Sequence, residues 1–315
     1  MSTERLIAVN DLSIHITEQG SGPLVILLHG FPETSHSWRH HIGPLADAGH
    51  HVVAPDLRGA GGTVGPEAID QYTILHLVGD VVGLIHALGE EEAVLVGHDW
   101  GAIIAWHVAL MRPDVVRGVA ALSVAPPRRP PAPPMTLAEK RFGRGFYQIY
   151  FQEPGVADAE LDSNPEDALL GFFGKKSTAV SAEKLVPVVP PGGGILDALD
   201  TNGHPDWMSK EDFDAVVAAY ARSGFTGGLN WYRNLDRNWE LTAPWQDAKI
   251  TPPSFYVTAG RDVSRMIAPP GFLEQLPEVL TDLRGVLDLD GCGHWIQQER
   301  PAEVQEALLA FIAGL

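Results

Sequence analysis

The sequence predicts an α/β fold: a mostly parallel central sheet with helices on both faces, interrupted by an inserted helical lid. Three observations predict it. Short continuous apolar runs such as Leu24-Val-Ile-Leu-Leu28 are too brief for helices and read as strands buried on both faces. Helical stretches separate these runs, and such alternation is how a parallel sheet is built. The rhythm then breaks into a long region of helix formers, aromatics and loops before strands return near the C-terminal end.

Element by element, Leu6–Val9 and Ser13–Thr17 flank Asn10-Asp11 as an antiparallel hairpin at a sheet edge. Gly20-Ser-Gly-Pro23 introduces the buried strand Leu24–Leu28, and His51–Ala54, Ala93–Val96 and Val116–Leu122 repeat its pattern. Between them, Tyr72–Leu88 and Ala102–Met111 read as helices, the second closed by Pro113. Prolines at 126, 127, 130, 131, 133 and 134 make Ala125–Pro134 a stiff, irregular hinge segment. Helices and loops follow, among them the loop Pro187–Gly194. Strands Ser254–Thr258 and Gly285–Leu289 resume the sheet, and Pro301–Ile312 ends it as an amphipathic helix. The expected organisation is a core at 1–125, a helical cap at 126–245 and the rest of the core at 246–315. No internal repeat is visible.

With 315 residues, 45% of them hydrophobic and 20% charged, the chain can bury a sizeable core. A net charge of −18 argues against nucleic acid or an anionic membrane as partner. No apolar run approaches a membrane span, and the first residues lack the basic-then-apolar shape of a signal peptide. Cys292 is the single cysteine, which excludes an intramolecular disulfide and suits a reducing compartment. A cytoplasmic protein is expected.

Chemistry concentrates in Val94-Leu-Val-Gly97-His98-Asp99-Trp100-Gly101-Ala102. An apolar strand running into Gly-x-Asp-x-Gly and then a helix has the shape of a nucleophile elbow, with Asp at the apex where Ser is usual. A carboxylate there attacks a carbon bearing a leaving group and becomes an ester. Hydrolysing that ester needs a base, and a His oriented by a second carboxylate serves. Asp262 and His294 each follow a predicted strand, and parallel strands end on one edge of a sheet, so their loops meet Asp99. Singly, each has a plainer reading: a solvated turn Asp, a helix-capping Asp, a structural His in a glycine-rich loop. The three in the order nucleophile, acid, base match the α/β-hydrolase fold. His29-Gly30-Phe31-Pro32-Glu33 follows the first buried strand. The backbone N–H groups of Phe31 and Trp100 are suited to hold the oxyanion formed when water attacks the ester. His29 reads as structural, and Asp56 as a turn residue.

Other features carry less. Arg58-Gly-Ala-Gly-Gly62 lacks the glycine spacing of a dinucleotide loop, and His40-His41 and His50-His51 lack metal-ligand spacing. No cofactor and no metal are expected. Trp38, Trp100, Trp231 and Trp295 read as walls of an apolar pocket.

His-Gly-Phe-Pro-Glu, Gly-His-Asp-Trp-Gly, Gly-Arg-Asp and Gly-His-Trp, in that order, resemble the soluble epoxide hydrolases. The resemblance extends into the insertion through the segments 146–154 and 230–239. It implies a tyrosine from each segment, Tyr147 and Tyr232, donating a hydrogen bond to an epoxide oxygen. One helical turn separates Tyr147 from Tyr150, so the first donor could be either; Tyr150 otherwise joins Phe31, Trp100, Trp231 and Trp295 in the expected pocket. The implied reaction is conversion of a lipophilic epoxide and water to a vicinal diol through an ester on Asp99, and a homodimer is implied too. Haloalkane dehalogenases share the acid–base set but usually place Asn where this chain has Phe31, and they lack the paired tyrosines. Fluoroacetate dehalogenases carry Arg where this chain has Trp100. A slow, receptor-like member of the fold is the alternative of another class.

Overall fold

A computed structural model describes residues 2–174, 186–201 and 203–315. Among these, strands β1 (Thr3–Val9), β2 (Leu12–Gln19), β3 (Leu24–Leu28), β4 (His51–Pro55), β5 (Ala93–His98), β6 (Val116–Leu122), β7 (Ser254–Ala259) and β8 (Leu283–Leu289) form one sheet. Its order is β1-β2-β4-β3-β5-β6-β7-β8. The β1–β2 hairpin and the β2–β4 pair are antiparallel, and every later pair is parallel.

The apolar runs are continuous because both faces of the sheet are covered. Ile26, Leu28 and Leu95 point into one core with the helices Ile74–Ala87 and Trp100–Met111. Val25, Leu27, Val94 and Val96 point into the other, against Arg39–Asp47 and Pro301–Ala313. Alternating side chains of one strand therefore enter two separate cores. Trp38 belongs to the second core, packed on His41, and so lines no pocket wall.

Register fixes where the loops emerge. Leu28 pairs with Gly97, His98 with Leu122, Leu122 with Val257, and Ala259 with Leu289. The C-terminal ends of β3, β5, β6, β7 and β8 thus share one edge, from which the His29, Asp99, Ser123, Asp262 and His294 loops rise.

Three local departures have physical causes. The helix expected from Tyr72 starts at Ile74, after a 3₁₀ turn Ile69–Tyr72 and an extended Thr73. Pro134, expected in the irregular hinge, opens the helix Pro134–Phe142, where its missing N–H costs no intrahelical bond. Strand β8 alternates in exposure along its length because it is the sheet edge.

Between β6 and β7 the described chain is helical, with Tyr147–Tyr150, Lys210–Ser223 and Thr226–Arg233 among its elements. Residues 175–185 of the insertion lie outside the described residues. Polar contacts seat it on the core: Tyr220 Oη donates to the Glu33 carbonyl at 3.0 Å and Trp231 Nε1 to the Arg58 carbonyl at 3.1 Å. Asp212 bridges His36 at 2.7 Å and Arg39 at 3.2 Å. Gly59 and Gly227 let two backbones meet, since a Cβ on Gly227 would overlap the Gly59 carbonyl oxygen. Among the described residues no helix is long and apolar enough to cross a membrane.

Candidate active site

Asp99 follows β5 directly and precedes the helix beginning at Trp100, with φ 52° and ψ −117°. Such a backbone is strained for a residue with a Cβ and holds the carboxylate out from the sheet edge. Close packing sustains it. A Cβ on Gly97 would overlap the Gly101 carbonyl, and one on Gly101 would overlap the Leu28 carbonyl. Gly30 passes over the Asp99 side chain in the same way.

One oxygen of Asp99, Oδ1, accepts the Phe31 backbone N–H at 3.0 Å. The other, Oδ2, lies 3.7 Å from His294 Nε2. On the far side of the imidazole, His294 Nδ1 meets Asp262 Oδ1 at 2.8 Å, and Asp262 is fully buried. The Ser264 backbone N–H also donates to Asp262 Oδ1, at 2.8 Å. Burial opposes the imidazolium, but the charges of Asp262 and Asp99 outweigh it and push the His294 pKa up to about 9. Burial alone would raise Asp262; the His294 charge and hydrogen bond hold it below the usual carboxylate range. The expected acid–base trio is brought together in one line.

Behind it lies a second layer that sequence reasoning did not assign. His98 is fully buried, with Nδ1 2.8 Å from Glu33 Oε2 and Nε2 2.8 Å from the His294 carbonyl. Both ring nitrogens thus face acceptor oxygens deep in the core. Glu33 also accepts from Gly30 N at 2.9 Å, Gln297 at 2.9 Å and Gln298 at 2.8 Å. Through Glu33 and His98 the Gly30–Phe31 loop is tied to the His294 loop. Ser123, φ 77°, adds its hydroxyl 3.2 Å from His294 Nδ1. His29 donates from Nδ1 to the Gly30 carbonyl at 2.8 Å and accepts the Leu57 N–H at 2.9 Å, so both ring nitrogens hold backbone. Asp56 likewise accepts the Ser35 and Gly62 N–H groups at 2.7 and 2.8 Å.

Above Asp99 the insertion supplies Tyr147 and Tyr232, with ring centroids 6.1 Å apart. Burial raises both phenols above their ordinary pKa, and the Asp99 charge adds to it, so they stay protonated. Tyr232 packs edge-on against Trp100, 5.1 Å between centroids, and Phe31, 5.5 Å. A cavity of about 330 Å³ borders Phe31, Phe172, His294 and Trp295. A second of the same size, about 330 Å³, borders Trp100, Ile103, Pro126 and Phe272. Asp99, Tyr147, Tyr232 and Ser264 border both cavities.

Two expected pocket residues lie elsewhere. Tyr150 is turned away by its short helix and donates to Glu160 Oε2 at 2.7 Å, which resolves the choice of cavity-facing tyrosine to Tyr147. Trp231 is buried behind Tyr232, its indole N–H spent on the Arg58 carbonyl. Among the described residues no group of three or more His, Cys, Asp or Glu is placed to hold a metal ion.

A family profile of the alpha/beta hydrolase fold matches residues 23–301. Epoxide hydrolase A of Mycobacterium tuberculosis (strain ATCC 25618 / H37Rv) is 45% identical over 318 residues, covering 99% of this chain and 98% of that protein. Epoxide hydrolase 1 of Siraitia grosvenorii is 38% identical, covering 97% of this chain and 96% of that one. Among solved structures, Epoxide Hydrolase A from Mycobacterium thermoresistibile superposes with a TM-score of 0.92 at 44% identity, covering 100% of this chain and 99% of the other. An epoxide hydrolase from an endophytic Streptomyces gives 0.95 at 42% identity, with 99% and 96% covered. The chain belongs to the α/β-hydrolase family. Within that family it is one of the epoxide hydrolases.

Proposed function

We propose that the chain opens lipophilic epoxides in two steps through a hydroxyalkyl ester on Asp99. The reading rests above all on one observation: a single imidazole, His294, stands 3.7 Å from Asp99 and 2.8 Å from Asp262. Tyr147 and Tyr232 hydrogen-bond the oxirane oxygen while Asp99 attacks a ring carbon. Oδ1 is already held by the Phe31 N–H, so Oδ2 is the oxygen free to attack. Ring strain and two phenols together make the alkoxide leave at neutral pH.

In the second step His294, oriented by Asp262, takes a proton from water that attacks the ester carbon of Asp99. The Phe31 and Trp100 backbone N–H groups stabilise the oxyanion, and the diol departs. In this reading residues 126–245 act as a cap closing over the core segments 1–125 and 246–315. The apolar lining of both cavities suits lipophilic substituents, and their meeting at Asp99 suits a substituent on each ring carbon.

The test is His294→Gln. The variant should open styrene oxide once and retain the product, so intact mass rises by one substrate per chain and steady-state diol formation stops. Unmodified protein after incubation would refute the ester on Asp99.

A further inference from the structure

Tyr147 does not stand alone on the cavity wall. Gln148 donates its side-chain amide to the Tyr147 hydroxyl oxygen at 2.9 Å. An amide nitrogen has only protons to offer, so this contact occupies a lone pair of the phenol and leaves its own proton uncommitted. Gln148 borders only the second cavity, whereas Tyr147 borders both. The amide therefore approaches from one side and leaves the remaining space above Asp99 to the O–H. The backbone of Gln148 is itself anchored: Gln152 Nε2 donates to the Gln148 carbonyl at 2.8 Å and to the Tyr232 carbonyl at 3.0 Å. One side chain thereby joins the two segments that carry the phenols.

We propose that Gln148 is a positioning residue for ring opening: it aims the Tyr147 proton at the oxirane oxygen and stabilises the phenolate left behind. The inference rests on the mechanism above. As the bond from Asp99 Oδ2 to carbon forms, the ring C–O bond breaks and its electron pair goes to oxygen, which takes the Tyr147 proton. The water of the second step supplies two protons, one for the other hydroxyl of the diol and one that returns to Tyr147. A hydrogen bond to a phenolate is stronger than one to a phenol, so the Gln148 contact strengthens as the transition state develops. Burial raises the Tyr147 pKa and the Gln148 hydrogen bond lowers it, as a donor to the phenolate should.

Single-turnover reactions with styrene oxide, quenched and read by intact mass, separate ester formation from ester hydrolysis. Gln148→Met, which keeps the shape and loses the donor, should slow ester formation about tenfold and leave hydrolysis unchanged. Gln148→Glu, which replaces the donor by an acceptor, should slow it further by drawing the phenol proton to itself. In a Tyr147→Phe background, Gln148→Met should cost nothing more. Wild-type ester formation in either Gln148 variant, or an equal loss with and without the Tyr147 hydroxyl, overturns the proposal. If Tyr147→Phe alone forms ester at the wild-type rate, the donor role of Tyr147 fails, and the inference falls with it. Because Gln148→Glu is isosteric, it carries the test should Gln148→Met fold poorly.

Discussion

His294 is held between two carboxylates, Asp99 and Asp262, whose charges would change differently in the proposed mechanism. In the resting enzyme both favour the imidazolium, giving the pKa of about 9. In the proposed mechanism ester formation would remove the Asp99 charge, one of the causes of that rise, so the His294 pKa would fall as the step that needs a neutral base begins. Ester hydrolysis should therefore increase with pH through an inflection below about 9, and titration of the free enzyme should place His294 at about 9. Single-turnover decay of the ester across pH checks this; a decay rate flat from acid through alkaline pH would remove His294 as base. The same raised value has a stability consequence. His294 binds its proton more tightly when folded, so its contribution is full below pH 6.5 and is lost as pH rises to about 9. Asp99, Asp262 and His294 were legible because each lies in the loop that follows a strand. The Glu33–His98 pair was not, since a contact between positions far apart in sequence leaves no local pattern. Tyr150 misled for the opposite reason: spacing brings it near Tyr147, and only the packing of a single helical turn sends it to Glu160.

At the scale of elements, the elbow depends on space as much as on dihedral angle. Gly101→Ala would drive a Cβ into the Leu28 carbonyl, pushing the helix Trp100–Met111 off β3. It should destabilise the fold by about 3 kcal/mol in urea unfolding and reduce ester formation in whatever protein remains folded. The cap offers a separable case. Gly227→Ala meets the Gly59 carbonyl at the seam between insertion and core, far along the chain from the elbow. We expect a loss of about 1–3 kcal/mol with the trio intact, seen as a lowered urea midpoint and a raised KM. Core strands such as Leu24–Leu28 could be read from sequence because burial on both faces leaves an uninterrupted apolar run. The shortest helices of the insertion could not. Elements as short as Tyr147–Tyr150 and Ile195–Ala198 hold about one turn each, too little for a period to emerge.

For the whole molecule, the decisive arrangement is that two cavities of about 330 Å³ share Asp99 and both phenols. In the proposed reading an epoxide substituted on both carbons would fill both, whereas a terminal epoxide would fill one. Across a series of equal carbon number, kcat/KM should be higher for internal than for terminal epoxides, measured by diol formation. Filling the second cavity by Ile103→Phe should narrow that advantage. Sequence reasoning found an apolar pocket but not its division, which arises only when the insertion folds over the sheet edge.

Phe31 has one consequence that reaches across these scales. Its N–H holds Asp99, while its ring packs edge-on against Phe151, Phe172, Phe225 and Tyr232, all from the insertion. The donor that holds the Asp99 carboxylate is thus clamped by the insertion. A chain whose sheet has formed but whose insertion has not docked would hold an assembled trio with an unsteady donor. Folding of the insertion would then be the checkpoint for competence: activity on refolding should lag recovery of the sheet and keep pace with burial of Phe31.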